Sequence, residues 1–213
     1  SLPTSVPALA MLVRRDGTLL TSRFNGEIVS LASGGERVIA KVESPASALS
    51  ETSDGAIWGG SVNGSVWILQ NGTAGIVSDD LGERVVALHP TRDGRHVWAA
   101  SLGTGAVRID RNIAGAGTPA QRLVVTRENG LLGETLWTIL EDREGNLWFG
   151  QIGGASRLRR GYDAFFAWTE HSTPALPDSS TFAVLPEWRG AMWVATGSGL
   201  ATMTRDTTTT LTV

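Results

Sequence analysis

The 213-residue sequence contains no cysteine, one tyrosine and only three histidines, and it has no long apolar run. Without cysteine it can form no disulfide, no thiolate metal site and no cysteine nucleophile. His89, His96 and His171 lie in separate contexts without the spacing of metal ligands, so we expect no metal and no cofactor. No segment approaches the roughly 18 to 20 consecutive apolar residues of a membrane helix, so we expect no direct membrane contact in this chain.

Basic residues are also scarce, with 18 Lys and Arg against 21 Asp and Glu and a formal net charge of −3. Proteins that bind nucleic acid through its phosphates usually carry a basic patch, and no Lys- or Arg-rich run is present. We therefore expect no nucleic-acid partner. Glycine, by contrast, is abundant at 26 residues, which favours many short strands joined by tight turns over helices.

One glycine-containing pattern recurs five times along the chain. Each copy has an apolar strand, a glycine turn, a strand that usually carries tryptophan, a second glycine turn and another apolar strand. The first-turn glycines are Gly17, Gly55, Gly94, Gly145 and Gly190. The tryptophans that follow these glycines by three or four residues are Trp58, Trp98, Trp148 and Trp193. Because these residues recur at one place in the repeat, we interpret them as structural, with the tryptophans packing between repeats.

Repeats of about 43 residues with four short strands are typical of β-propeller blades, which bury their faces only against neighbouring blades. The sequence therefore predicts an all-β fold, a single β-propeller segment across residues 1–213. The expected blades cover about 8–43, 44–79, 80–127, 128–170 and 171–213. In the fourth copy, strands are predicted at Leu136–Glu141, Asn146–Gln151, Ala155–Arg159 and Ala164–Trp168.

The fourth copy carries a more specific set of motifs. They are Asn129-Gly130-Leu131, Ile139-Leu140-Glu141-Asp142, Gly145-Asn146-Leu147-Trp148-Phe149-Gly150 and Ala155-Ser156-Arg157-Leu158. In these motifs the copy resembles the two-component regulator propeller repeat. Copies one to three keep the glycine turns but lack the Glu-Asp pair, so the resemblance is weaker there.

This resemblance implies a non-catalytic sensor domain from a bacterial hybrid two-component histidine kinase or diguanylate cyclase. Such a domain lies in the periplasm, as the extracytoplasmic part of an inner-membrane protein, and relays a signal when it binds a ligand. A small molecule or an oligosaccharide is the expected ligand, and a homodimer through the propeller is a further expected assembly. Because propellers of this family usually have seven blades, we expect these five to be part of a larger propeller.

Two other functions remain open at the level of sequence. Virginiamycin B lyase and several lactonases are propeller enzymes with similar Asp-Gly and Leu-Trp-like repeats, but such enzymes need acids, histidines or a metal converging on one site. A protein-binding scaffold is the third interpretation, and the repeats are equally compatible with it.

Loops that join the last strand of one blade to the first strand of the next commonly line the ligand-binding mouth of a propeller. The ligand-binding candidates are Arg127, Glu128, Asn129, Glu134, Trp137, Trp168 and His171. Trp67 and Trp188 depart from the repeat register, as Trp137 and Trp168 do, and are further candidates. Glu141 and Asp142 resemble a paired-carboxylate site, but adjacent residues of a strand point to opposite faces. Asp142 is therefore predicted to be a turn residue that bonds its own backbone.

Overall fold

The structure is a computed structural model that describes residues 6–32, 34–79, 81–111, 122–162, 164–187, 190–204 and 208–211. Within these ranges the chain forms twenty β-strands in five four-stranded antiparallel sheets. One 3-10 turn, Arg127–Asn129, is the only helical element that they contain. The all-β prediction with five four-stranded units is therefore confirmed.

Each sheet is formed by four strands that follow one another in sequence, and we number the sheets as blades 1 to 5. Blade 1 has β1 Ala8–Val13, β2 Leu19–Arg23, β3 Glu27–Ala32 and β4 Gly35–Lys41. Blade 2 has β5 Ala46–Glu51, β6 Ile57–Ser61, β7 Val66–Gln70 and β8 Thr73–Ser78. Blade 3 has β9 Val85–Pro90, β10 His96–Ser101, β11 Ala106–Asp110 and β12 Arg122–Val125. Blade 4 has β13 Leu136–Glu141, β14 Leu147–Gln151, β15 Gly154–Leu158 and β16 Phe165–Trp168. Blade 5 has β17 Thr181–Pro186, β18 Met192–Thr196, β19 Gly199–Met203 and β20 Thr208–Leu211.

The chain divides into two compact units. The first comprises Ser1–Ala99 with Arg108–Arg122, and the second comprises Ala100–Val107 with Leu123–Val213. Blades 1 and 2 belong to the first unit, and blades 4 and 5 belong to the second. The expected single propeller segment and its blade boundaries stay a prediction.

The first hairpin of every blade is closed in the same way. The amide of each first-turn glycine donates to the carbonyl three residues earlier, as Gly145 does to Asp142 at 3.1 Å and Gly17 to Arg14 at 2.9 Å. All five glycines have φ between 70° and 88°, a region in which a Cβ is penalised. The positive φ explains why glycine recurs at this place in the repeat.

A β-bulge occurs at the second residue of the first strand in blades 1, 2, 4 and 5. In blade 4 the pairing of β13 with β14 shifts between Leu136 and Thr138, and in blade 5 that of β17 with β18 shifts between Thr181 and Ala183. A bulge leaves one residue outside the ladder and re-aims its side chain. Trp137 and Phe182 occupy these bulge positions.

Small residues on the second strand allow adjacent blades to approach closely. A Cβ on Gly60 of β6 would lie 2.3 Å from a methyl carbon of Val85 on β9, and one on Gly150 of β14 would lie 2.8 Å from the carbonyl oxygen of Thr181 on β17. Val85 and Thr181 are the first residues of the following blades and are fully buried. Glycine at these two positions thus sets the spacing between blades.

The repeated tryptophans lie on this same strand. Trp58, Trp98 and Trp148 are buried, whereas Trp193 of blade 5 is only half-buried. In blade 4 the ring of Trp148 packs in a cluster with Val184 and Val194 of blade 5. The second strand of one blade therefore packs against the first two strands of the next.

Candidate ligand-binding site

An exposed aromatic pair marks the strongest candidate site. Trp137 is 37% exposed and Phe182 is 48% exposed, although both belong to strands with buried neighbours. Their ring centroids lie 5.9 Å apart with the planes inclined by 59°. Each is a bulge residue, a position at which the side chain is re-aimed relative to the regular strand ladder. The pair offers apolar ring surface to solvent.

Two carboxylates lie close in sequence to this pair. Glu134, two residues before β13, is exposed, and its carbonyl oxygen accepts a hydrogen bond from the amide of Gly105 at 3.1 Å. Asp178, three residues before β17, accepts hydrogen bonds from the Ser180 amide at 2.7 Å and the Ser198 hydroxyl at 2.9 Å. These hydrogen bonds lower the pKa of Asp178 below its ordinary value, so the group is ionised at neutral pH.

The loop that carries Glu134 is held by a buried amide. Gln151, at the end of β14, is fully buried. In the orientation that pairs donors with acceptors, its side-chain oxygen accepts from the amide of Leu132 at 3.0 Å and its nitrogen donates to the carbonyl of Gly133 at 3.1 Å. The loop also contacts the next hairpin, where the Ile152 amide donates to the carbonyl of Thr135 at 3.2 Å. These bonds fix the backbone that leads into Trp137.

Of the predicted loop residues, Arg127, Glu128 and Asn129 form the 3-10 turn, and all three are exposed. The side chain of Asn129 is occupied by that turn: its oxygen accepts from the Thr126 amide at 2.7 Å and its nitrogen donates to the carbonyl of Val124 at 2.9 Å. Among the described residues, no hydrogen bond joins these three residues to the aromatic pair. Their role as ligand-binding residues stays a prediction.

The remaining predicted residues lie in different surroundings. His171 is highly exposed and lies 3.4 Å from the carboxylate of Glu170. Trp168 is buried and stacks on Trp148, with centroids 5.2 Å apart and planes inclined by 15°. The guanidinium of Arg157 lies 5.6 Å from each of these two ring centroids, a cation–π arrangement. Trp168 is thus part of the packing of blade 4.

Trp168 also lines a second concave feature, a cavity of about 150 Å³ beside the first hairpin turns of blades 4 and 5. Pro186 and Met192 contribute apolar surface to it. Its polar and charged lining includes Asp142, Arg143, Glu144, Asn146, Arg157 and Glu187. The sequence predicted a ligand-binding mouth at the loops between blades, and it did not predict this cavity. Two of its lining residues, Asp142 and Arg157, belong to the fourth-copy motifs, and these motifs are the sequence feature that could have indicated it.

Asp142 has a second role beyond its turn. As predicted, it bonds its own hairpin, since its Oδ1 accepts from the amide of Asn146 at 2.8 Å. Its Oδ2 also accepts from the indole Nε1 of Trp148 at 2.8 Å, in a buried setting. The aspartate therefore joins the turn to the repeated tryptophan.

Two of the off-register tryptophans remain. Trp67 is buried, and its indole nitrogen donates to the hydroxyl of Ser61 at 3.1 Å, which is the contact of a core residue. Trp188 lies outside the described residues. Of the three described tryptophans that depart from the repeat register, Trp137 alone has a ring exposed to solvent.

In the described part of the chain, no group of three or more His, Cys, Asp or Glu residues is arranged to hold a metal ion. None of the helical segments described is long and apolar enough to cross a membrane.

Comparison with known families identifies the fourth blade. Residues 130–153 match the family model described as Two component regulator propeller. Blade 4 contains a two-component regulator propeller repeat. This match includes the Glu141-Asp142 pair and the glycine turn at Gly145, so the resemblance seen in the sequence is confirmed. No curated protein matches the chain in sequence.

Solved structures similar in fold to this chain include two extracellular domains and a set of WD40 repeats. One is the extracellular domain of a protein described as the one-component system BT4673 from B. thetaiotaomicron, with a TM-score of 0.75 and 12% identity over 99% of this chain and 31% of that chain. Another is the extracellular domain of a protein described as the hybrid two-component system BT3049 from the same organism, with a TM-score of 0.62 and 17% identity over 96% of this chain and 34% of that chain. The WD40 repeats of RRP9 match with a TM-score of 0.72 and 10% identity, over 94% of this chain and 61% of that chain.

The structural similarity at these TM-scores establishes the fold, and the β-propeller prediction is confirmed. The chain spans about a third of the length of the two B. thetaiotaomicron proteins.

Proposed function

We propose that this two-component regulator propeller is a non-catalytic, ligand-sensing domain of a bacterial membrane-bound sensor, located in the periplasm. The observation that carries the proposal is the family repeat in blade 4, at residues 130–153. The similarity in fold to extracellular domains of proteins described as one-component and hybrid two-component systems supports it. The expected output partner is a histidine kinase or a diguanylate cyclase elsewhere in the parent protein.

The ligand of this proposal is a small sugar or an oligosaccharide that binds at Trp137 and Phe182. Aromatic rings exposed to solvent offer apolar faces on which the C–H groups of a sugar can pack. The ionised carboxylate of Asp178 is an acceptor only, the Glu134 side chain offers further acceptor oxygens, and sugar hydroxyls are suitable donors to both. The combination of ring surface with hydrogen-bond acceptors favours a neutral polyhydroxylated ligand over an anionic one.

A ligand that contacts both rings would couple two blades. Trp137 belongs to the first strand of blade 4 and Phe182 to the first strand of blade 5, and these strands pack side by side. Binding stabilises whichever arrangement of the two blades fits the ligand, and it shifts the population toward that arrangement. The size of the shift, and so the response of a linked output domain, is set by the difference between the ligand's affinities for the two arrangements.

A panel of neutral mono- and oligosaccharides, screened by thermal shift and followed by calorimetry, tests the proposal. A sugar that binds the native chain raises the unfolding midpoint, because ligand binding stabilises the folded state. Trp137→Ala and Phe182→Ala should each weaken that binding at least tenfold. Phe24→Ala removes an exposed ring of the first unit and should leave it unchanged. Sugar binding that survives both substitutions would contradict this site, and sugar turnover by the wild-type chain would contradict the non-catalytic assignment.

A further inference from the structure

Ion pairs join the turn ends of adjacent blades in the first unit. Arg14, whose carbonyl closes the first hairpin turn of blade 1, donates from Nε and Nη2 to Oε1 of Glu51 at 3.0 and 2.9 Å. Glu51 is the last residue of β5, the first strand of blade 2. A second ion pair joins Asp54 of blade 2 to Arg111, which follows β11 of blade 3. Charged side chains thus span the gap between blades at both places.

The equivalent positions of blades 4 and 5 carry different residues. Asp142 occupies the place of Arg14, because its carbonyl closes the first hairpin turn of blade 4. Pro186, the last residue of β17, occupies the place of Glu51 and has no charged group. The carboxylate of Asp142 bonds its own turn and the indole of Trp148, so it is directed into blade 4 and not across to blade 5. The cavity of about 150 Å³ lies at this place.

The interior of this cavity is apolar. Trp148 and Trp168 of blade 4 and Met192 and Met203 of blade 5 line it, and all four are buried. Pro186 pairs with Met192, which pairs with Met203, so these three side chains share one side of blade 5. An apolar cavity of about 150 Å³ can hold benzene, so the interior has room for an aliphatic group of about four carbons.

The opening of the cavity carries charges of both signs. Arg143 and Glu144 are exposed there, and Arg157 and Glu187 are half-buried. Guanidinium groups bind carboxylates, and the oxygens of glutamate side chains accept hydrogen bonds from ammonium groups. A ligand with a single charge would meet side chains of its own sign at this opening. The lining therefore suits a small ligand with an aliphatic group and one charge of each sign.

We propose that the cavity between blades 4 and 5 binds a free aliphatic α-amino acid of about the size of leucine. The aliphatic side chain packs on Trp168 and Met192, the carboxylate binds the guanidinium groups, and the ammonium group donates to Glu187. Because the lining comes from both blades, the bound amino acid joins blades 4 and 5 at the place where an ion pair joins blades 1 and 2. This proposal does not depend on the sugar site.

Calorimetry and thermal shift with L-leucine test the inference. Leucine should give a saturable heat of binding and raise the unfolding midpoint, because it binds the folded chain. Isocaproate lacks the ammonium group of leucine, and isoamylamine lacks its carboxylate. Each should bind at least tenfold more weakly than leucine, since each loses charge-assisted hydrogen bonds. The proposal would be overturned by a chain that gives neither heat nor a midpoint shift with leucine, or by analogues that bind as tightly as leucine does.

Substitutions in the lining locate the bound amino acid. Arg143→Gln and Glu187→Gln should each weaken leucine binding at least fivefold. Arg159→Gln and Glu170→Gln, at exposed residues of the second unit outside the lining, are the matched controls and should bind leucine like wild type. Ala191→Leu puts a larger side chain at the cavity wall and should abolish binding, with circular dichroism as the check on folding. Leucine binding that survives both Glu187→Gln and Ala191→Leu would contradict this site.

Discussion

Asp142 holds the indole of Trp148 through a 2.8 Å hydrogen bond in the interior of blade 4. The equivalent indole of Trp58 in blade 2 is also buried, and its nitrogen has no hydrogen-bond partner among the described residues. Thr52 occupies the place of Asp142 there, and its hydroxyl bonds Asp54 and the carbonyl of Ala56 instead. One repeat position thus has different hydrogen-bonding roles in different blades.

Asp142→Ala should lower the free energy of unfolding by about 2 kcal/mol, because it leaves a buried indole N–H and the Asn146 turn without their acceptor. Chemical denaturation measures the change. Glu144→Ala, in the same turn but exposed, is the control and should change stability by less than about 0.5 kcal/mol. Equal losses in the two variants would show that the Trp148 bond contributes nothing.

Thr181→Val should raise the free energy of unfolding by about 1 kcal/mol. The Thr181 side chain is fully buried, and its hydroxyl has no hydrogen-bond partner in the described structure, so a methyl group removes the cost of desolvating that hydroxyl. Val85 already holds this place in blade 3. Thr196→Val is the opposite case, because the hydroxyl of Thr196 donates to the carbonyl of Gly199 at 2.9 Å. Removing this hydroxyl should lower the free energy of unfolding by about 1 kcal/mol. Thermal and denaturant unfolding of both variants would reveal whether the signs differ.

Gly60→Ala should destabilise the first unit by about 1 to 3 kcal/mol, because the new Cβ would lie 2.3 Å from Val85 and force two blades apart. Gly75→Ala provides the comparison, since a Cβ at that strand position meets nothing within 4 Å. Replacing glycine at an unstrained position reduces the entropy of the unfolded chain, so Gly75→Ala should be neutral or stabilising by up to about 1 kcal/mol. A similar loss in both variants would mean that backbone propensity, and not blade spacing, sets the effect.

Stability should fall as the pH is lowered from 7.5 to 5.5, in part through His96. Burial lowers the pKa of His96, and the nearby positive charges of Arg108 and Arg95 act in the same direction, while Asp93 and Asp110 partly oppose them. The unfolded chain therefore binds a proton near pH 6.5 before the folded chain does, and the stabilisation present above that pH is lost toward the folded pKa.

His96→Asn, which copies Asn146 of blade 4, should make the unfolding free energy less dependent on pH in this interval. Denaturation curves at four or more pH values measure the slope for each protein. Identical slopes for the variant and the wild type would rule out His96 as a source of the dependence.

The strands of blade 4 were predictable from the sequence to within one residue. Strand β13 was predicted as Leu136–Glu141 and has those bounds, while β14 was predicted from Asn146 and begins at Leu147. These segments are bounded by glycine turns whose φ values are positive, and such turns are local constraints that a sequence displays directly. The fold class followed because five copies of one local pattern leave few ways to bury their faces.

Of the two aromatic residues of the candidate site, only Trp137 was predicted from the sequence. Trp137 was selected because it departs from the repeat register, but Trp67 and Trp168 gave the same signal and are buried. Phe182 gave no signal at all. A departure from the register shows that a residue is not repeated, and it does not show which way its side chain points.

What the sequence alone determined is the all-β repeat architecture and the family of its fourth blade, because turn glycines and strand-length apolar segments act over a few residues. The tertiary structure decided which aromatic side chains reach solvent. It did so through bulges at Trp137 and Phe182 and through the packing of each tryptophan-bearing face on the next blade. The bulges depend on pairing between neighbouring strands, as of Leu136 with Gln151 and Thr138 with Gly150, and the packing depends on contacts between residues of different blades, so single positions in the sequence do not display them.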